Sequence, residues 1–258
     1  MNANLKKAIR TAQSYFPFLK SSKDEFYRKG RRLLRIPHES DFSILSKIDF
    51  SDRIMIDVGA NHGQSIETAK LYRPDISIVS FEPNTILANA LIERYRGDSK
   101  IEIRPLGLAD RAGSFELHVP SYRGYVYDGL ASLDRTEAES WLSSDTIYGF
   151  KKSNLKLDTF SCAVGTLDEQ DLRPAFIKID VQGLELQVIS GAKKTLERYR
   201  PVLMVENGAK NKEITDFLSE YGYNQCSVAQ GQVIPRAGSS ENSVFVTDKH
   251  EYLYARSQ

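Results

Sequence analysis

Arg53-Ile-Met-Ile-Asp-Val-Gly-Ala-Asn-His-Gly63 is the stretch whose reading decides the fold. Ile54, Met55, Ile56 and Val58 form a short apolar run suited to a buried strand, and the run enters a turn carrying Gly59 and Gly63. Ser65 to Tyr72 continues with the spacing of a helix. Strand, glycine turn and helix in that order make the first unit of an α/β sheet, whose ligands bind where the strand ends. The glycines reach backbone angles closed to other residues and are expected to let a ligand approach the main chain. Glu82 follows Asp57 by 25 positions, closing the apolar run Ile-Val-Ser-Phe-Glu, where a carboxylate suits a ribose diol.

The glycine spacing separates two classes of nucleotide. A dinucleotide loop carries G-x-G-x-x-G, whose closely spaced glycines admit a pyrophosphate. Here the pattern is Asp57-x-Gly59-x-Asn61-x-Gly63, with an acid in front and an amide in the middle. A carboxylate beside the loop repels pyrophosphate and favours the ammonium and sulfonium of S-adenosylmethionine.

Outward from this unit, strands and helices alternate, which predicts a parallel sheet covered on both faces. The pattern places strands at 53–58, 76–81, 101–106, 175–181, 201–206, 223–228 and 243–247, and an added strand at 114–119. Helices fall at 65–72, 85–95, 184–198 and 210–221, with a loop around Gly231 and 235–242. Residues 120–152 break the rhythm and hold Tyr122, Tyr125, Tyr127, Trp141, Tyr148 and Phe150. Such a segment is either a substrate lid whose aromatic faces stack on sugars or planar acceptors, or a loop tucked onto the core.

Charge is unevenly spread although the whole chain carries only +1. Residues 1–36 hold ten Lys/Arg against Asp24 and Glu25, leaving the rest of the chain net acidic. Residues 1–50 are read as a basic helical N-terminal extension, with two helices over 3–35 interrupted near Pro17, and 51–258 as one catalytic domain. The basic, amphipathic arm suits either peripheral contact with an anionic membrane through residues 1–36 or simple packing on the domain. Cys162 and Cys226 have no metal-site spacing, the start lacks a signal-peptide core, and no run spans a bilayer. A cytoplasmic protein, membrane-peripheral if the arm binds lipid, is the expectation.

Asp180, Glu206 and Asn207 all fall at carboxyl ends of strands, on the same rim as Gly59 and Glu82. Lys178 shares a strand face with Asp180 inside an apolar run, so the two are expected to pair. Glu185 opens the next helix, and His62 lies within the glycine loop. A Ser-His-Asp order, a paired-cysteine metal site and a P-loop are all missing from the sequence.

Taken together, Ile56-Asp-Val-Gly-Ala-Asn-His-Gly63, Phe81-Glu-Pro83, Gly107-Leu-Ala-Asp110, Thr166-Leu-Asp168 and Ile177-Lys-Ile-Asp-Val-Gln-Gly-Leu-Glu185, with Gly191-Ala192 and Pro201–Glu206, resemble the FkbM-type methyltransferases. The resemblance runs over about residues 50–248. It implies a Rossmann-like seven-stranded sheet with helices on both faces, a reversed last strand, and S-adenosylmethionine as donor. It also implies O-methylation of hydroxyls on sugars, glycolipids or secondary metabolites. By position Asp57, Gly59, Ala60, Asn61 and Gly63 line the methionine end of the cofactor. Glu82 then holds the ribose, and Leu106, Gly107 and Leu108 border the adenine. Gln182 is a departure, standing where the family commonly has Glu.

For methyl transfer to a hydroxyl, Asp180 is the expected base, Glu206 the second candidate, and Lys178 an electrostatic or orienting neighbour. Asp180, Glu206 and Asn207 are also similar to the magnesium set of catechol-type O-methyltransferases, so a Mg²⁺ site is kept as the alternative to a metal-free one. The acceptor is expected to be a small molecule or glycan. Two other readings stay open: a nucleic-acid methyltransferase using the basic arm, and a non-catalytic nucleotide-binding module. Against the first, the domain is net acidic and lacks Asn-Pro-Pro-Tyr or a catalytic Pro-Cys.

Overall fold

A computed structural model describes residues 3–16, 31, 34–235 and 241–254. The chain divides into two compact units, a larger one of 37–113 with 163–258 and a smaller one of 1–36 with 114–162.

The larger unit is built on strands β1 (Ile54–Val58), β2 (Ile78–Phe81), β3 (Ile101–Arg104), β8 (Pro174–Ile179), β9 (Val202–Glu206), β10 (Asn224–Ala229), β11 (Gln232–Pro235) and β12 (Asn242–Val246). Their order across the sheet is β11-β10-β12-β9-β8-β1-β2-β3. Strands β1, β2, β3, β8 and β9 are parallel, and β12 runs antiparallel to β9. From β1 the chain moves outward through β2 to β3, then returns to the other side of β1 as β8. The strand order therefore reverses between β1 and β8, and their carboxyl ends flank the crevice where such sheets bind ligands.

The central strands are apolar on both faces because both are covered. One face (Met55, Ile78, Phe176, Met204, Val244) packs on Ile66 and Ala69 of α2 (Gln64–Tyr72) and on Phe42, Ile44 and Leu45 of the 3₁₀ segment Ser40–Ser46. The other (Ile56, Val79, Ile177, Leu203, Phe245) packs on α5 (Glu185–Ser190), α6 (Lys193–Tyr199) and α7 (Asn211–Glu220). Helix α3 (Thr85–Tyr95) starts where the Asn84 side chain accepts from Ile86 N–H at 3.1 Å, satisfying one of the free amides of its first turn.

Several expectations are corrected. Among the described residues the sheet has eight strands, because the stretch read as a loop holds β11. It joins β10 through Gln230 and Gly231, both at positive φ (52° and 74°). That two-residue geometry fits a hairpin, yet Gln is an unusual residue for its first position, so the turn signal was weak. The single helix read over 184–198 is broken at Gly191-Ala192 into α5 and α6. A Cβ at Gly191 would stand 2.0 Å from the Ala109 carbonyl oxygen, so close packing against that backbone holds the break in place. Residues 37–50 belong to the larger unit, since Phe42, Ile44 and Leu45 are completely buried in its core. Strand β7 (Leu155–Gly165) was not foreseen, and its last residues pair in parallel with β4 (Gly107–Leu108) in the larger unit.

In the smaller unit, helix α1 (Ala3–Tyr15) docks through polar groups: Tyr127 donates to the Arg10 carbonyl at 2.9 Å, and Tyr148 N–H donates to Thr11 Oγ1 at 2.9 Å. The second helix read in the arm lies mostly outside the described residues. β5 (Gly113–Tyr122) pairs with β6 (Tyr125–Val126), and the short α4 (Arg135–Ser140) is capped by Asp134, which accepts from Glu137 N–H at 2.9 Å. Tyr122, Tyr125 and Tyr127 form a local core with Leu142 and Ile147, and Phe150 stacks on Tyr122 at 5.2 Å between ring centroids. Four of the six aromatics in this segment therefore serve packing, while Trp141 and Tyr148 remain exposed. Among the described residues, no helix is long and apolar enough to cross a membrane.

Candidate active site

The glycine loop is closed by its own hydrogen bonds. Gly59 and Ala60 N–H both donate to the Phe81 carbonyl (3.0 and 3.1 Å), and Gly63 N–H donates to Ala60 O at 2.7 Å. Asn61 N–H donates to Glu82 Oε2 at 2.7 Å, and His62 N–H to Gln64 Oε1 at 3.1 Å. Every main-chain N–H from Gly59 to Gly63 is thus engaged within the protein. These five amides are therefore not free to hold a pyrophosphate.

Gly59 also has a packing role. Its φ is +91°, and a Cβ built on it would lie 1.9 Å from the carbonyl oxygen of Asp180. The position is needed for the ends of β1 and β8 to meet, where Asp180 N–H donates to Val58 O at 3.0 Å. Gly63, at φ +86°, is pressed by Leu91 and Tyr95 of α3, while Arg94 donates to the His62 carbonyl at 2.6 Å and clamps the loop from the same helix.

Glu82 is buried, and its carboxylate is held by two backbone amides, Asn61 at Oε2 and Asn84 at Oε1 (2.9 Å). Burial raises its pKa against the pull of those two bonds. Each oxygen still has a second lone pair, so two hydroxyl donors of a ribose could be accepted on a carboxylate already fixed in place. Asp57 is fully buried on β1, beside Ser80 of β2 and Lys178 of β8 in the strand register. Ser80 donates to its Oδ2 at 2.9 Å; Oδ1 is buried with no partner at hydrogen-bond distance. Such an orphaned acceptor suits a cationic donor. Leu106 is half-buried at the end of β3, while Gly107 and Leu108 are buried in the β4–β7 pair.

The other candidates meet at the carboxyl ends of β8 and β9. Lys178, only 2% exposed, places Nζ 2.7 Å from Asp180 Oδ2 and 3.5 Å from Glu39 Oε1. Gln182 Nε2 donates to Asp180 Oδ1 and to Glu206 Oε2, each at 3.2 Å, so its amide bridges the two carboxyls. Asp180 lies below the ordinary carboxylate range: burial pushes it up, but the Lys178 charge and bonds from Glu206, Lys178 and Gln182 outweigh it. Glu206 is pushed up to about 7 by burial, then by its hydrogen bond to Asp180 and that residue's charge. The two carboxyls titrate as a pair, and Glu206 is the member whose affinity for the proton is raised.

Comparison with known proteins shows the family. The model of the methyltransferase FkbM domain family matches residues 57–224, more than half of the chain. The chain belongs to the FkbM methyltransferase family. It is 27% identical over 180 residues to the 2-O-methyltransferase NoeI of Sinorhizobium fredii (strain NBRC 101917 / NGR234), covering 68% of this chain and 70% of that protein. The crystal structure of methyltransferase FkbM from Methylobacillus flagellatus KT shares the fold, with TM-score 0.50 and 17% identity over 81% of this chain. The chain spans about half of that protein, 48% of its length.

Within this FkbM methyltransferase, the carboxyl cluster holds its own cation, Lys178. Asn207, read as a third magnesium ligand, has its amide oxygen engaged by Asn211 Nδ2 at 2.6 Å and by the Ser243 hydroxyl at 2.5 Å. An ammonium against Asp180 and an amide oxygen already occupied do not fit a magnesium site, and no step is assigned to a metal. Glu185 caps the turn before its own helix, accepting from Val181 N–H (3.2 Å) and Gly183 N–H (2.9 Å). Sequence reasoning missed Ser80, Arg94, Glu39 and Asn242. Ser80 was legible, since it shares a strand face with Glu82 and lies opposite Asp57, but the other three come from distant segments with no spacing signal.

The buried acids also set a pH dependence of stability. Asp57 is pushed up to about 6 by burial, against the opposing pull of Lys178 and Ser80. Its folded pKa exceeds the unfolded value, so the folded form holds its proton more tightly, and stability falls as pH climbs from about 4 to 6. Asp57→Asn is expected to stabilise the protein at pH 8 by up to about 3 kcal/mol, at about 1.4 kcal/mol per pKa unit. The gain should shrink toward zero near pH 4. Urea melts of both proteins from pH 4 to 8 check this; a gain independent of pH contradicts it.

Proposed function

We propose that this methyltransferase uses S-adenosylmethionine to methylate a hydroxyl of a sugar, a glycan or a related secondary metabolite. One observation carries the cofactor reading. The amides of Gly59 to Gly63 are bonded within the protein, and the loop is flanked by the buried carboxyls of Asp57 and Glu82. Such a site favours a cationic amino-acid end and a ribose over a pyrophosphate. The oxygen as target is supported by the likeness to a 2-O-methyltransferase.

When bound, the cofactor supplies an electrophilic methyl, whose bond to sulfur breaks as a carbon–oxygen bond forms, the electron pair staying on sulfur. Asp180 would accept a hydrogen bond from the attacking hydroxyl. Lys178 and Gln182 fix the two oxygens of Asp180, so the carboxylate cannot turn away. As the oxygen is alkylated its proton passes to the Asp180–Glu206 pair, where Glu206 has the higher affinity for it. Only the pair lacking its proton can act, so the rate should rise with pH through about 7.

Calorimetric titration with S-adenosylhomocysteine, with NAD as control, tests the cofactor. Wild type should bind the first only, and Glu82→Ala should weaken it about a hundredfold, since hydrogen bonds to charged groups contribute about 1.5–3 kcal/mol. NAD binding, or no binding of either, sinks the reading. Labelled-methyl transfer to a panel of saccharides should give alkali-stable ethers; transfer to RNA or DNA alone would overturn the acceptor class.

A further inference from the structure

Glu39 lies before the segment that matches the family, and it enters the site through the 3₁₀ segment that follows it. Phe42, Ile44 and Leu45 anchor that segment in the sheet face carrying Met204 and Val244, which leaves residue 39 beside the mouth of the sheet. There Oε1 faces Lys178 Nζ at 3.5 Å, and Oε2 accepts from Asn242 Nδ2 at 2.7 Å. Asn242 pairs with Glu206 across the β12–β9 ladder. Glu39, Lys178, Asp180, Gln182, Glu206 and Asn242 thus form a closed circuit of contacts around the candidate acid pair.

We propose that Glu39 is a positioning residue of this methyltransferase, acting through Lys178 to set the charge and aim of Asp180. The inference rests on the reading of Asp180 and Glu206 as proton acceptor. A buried ammonium with one partner would clamp Asp180 as a full ion pair and leave it a poor acceptor. A second carboxylate divides that attraction, keeping Lys178 charged while returning basicity to Asp180. Lys178 is indeed held above its ordinary range: its burial pulls the other way, and the charges of Asp180 and Glu39 overcome it.

The charged and titratable groups facing the pair are Lys178 on β8, Asp57 on β1, Glu185 at the start of α5, and Glu39 itself. Asp41 faces the circuit at Asn242, 3.5 Å from its amide nitrogen. Removing the charge of Glu39 makes the surroundings less negative, so the pair releases its proton at lower pH.

Glu39→Gln is the informative variant, because its amide oxygen can still accept from Asn242 while the charge is gone. The ascending limb of the kcat–pH profile should move down by about 0.5–1 pH unit, with plateau kcat lowered about three- to tenfold and KM unchanged. Glu39→Asp should restore the limb toward wild type. Carboxyl ¹³C NMR titration of the full-length protein, wild type and Glu39→Gln, gives a readout that does not depend on turnover. A downward shift in both NMR midpoint and kinetic limb supports the proposal. An unchanged NMR midpoint overturns it, even if melting temperature falls, because a purely structural role predicts that result. A shifted midpoint with an unmoved kinetic limb also overturns the positioning role, and in that case the fault lies in the reading of the pair as acceptor.

Discussion

Asp180→Asn is expected to lower kcat by a factor of about 10²–10⁴, the usual contribution of a positioned general base, while S-adenosylhomocysteine affinity stays within about threefold. The two effects should separate because the cofactor residues proposed here, Asp57 and Glu82, lie on β1 and β2, whereas Asp180 follows β8. Asparagine keeps nearly the same shape, and its amide oxygen can still accept from Lys178, while its NH2 faces Gln182, whose amide must turn to present its oxygen. What it loses is the capacity to take a proton. Glu206→Gln offers the complement. It removes the high-affinity member of the pair, so the residual rate should no longer rise near pH 7. Steady-state kinetics from pH 5.5 to 9 with calorimetry on each variant decide the matter. Equal loss of binding and turnover in Asp180→Asn would place that residue at the cofactor instead.

Gly59→Ala is expected to destabilise the protein by more than about 4 kcal/mol, at the far end of single-substitution effects. Two causes combine. The added methyl would sit 1.9 Å from a backbone oxygen, that of Asp180, which cannot rotate away as a side chain would. The residue is also held at φ +91°, a region that L side chains resist. Relief requires the ends of β1 and β8 to part, which breaks the approach that seats Asp180. Gly183 provides the internal control: its φ is +97°, but nothing lies within 4 Å of its Cβ position. Gly183→Ala should therefore lose only the conformational part, about 1–2 kcal/mol. Denaturant melts of both variants test the argument, and similar losses in the two would refute the steric account of Gly59.

Much of the larger unit was legible because its signals are local. Apolar runs near 54, 78, 177 and 203 bounded by turns mark buried parallel strands, and Asn84 before an apolar helix marks its start. The elements that escaped carry weak or mixed local signals. β7 is the exception, since its alternation of apolar and polar residues is itself a strand pattern that was readable, whereas the Gln230-Gly231 turn lacks the usual Asn or Asp. The break at Gly191 could be suspected from the glycine alone, but its cause, the Ala109 backbone, is a contact far along the chain.

The sequence by itself determined the α/β class, the positions of the central strands along the chain, the family motifs and the gathering of Asp57, Glu82, Lys178, Asp180 and Glu206 on one rim. Strand periodicity dictates which side chains share a face, and parallel topology dictates which strand ends meet. Only the tertiary structure decided how those groups are engaged. It showed that the loop amides are already bonded, that Gly59 is needed for the backbone approach at Asp180, and that Glu39 and Asn242 complete the circuit around Lys178. The physical reason is that a buried ammonium can be compensated by a carboxylate from any segment the fold brings near. Sequence spacing carries no record of which segment that is.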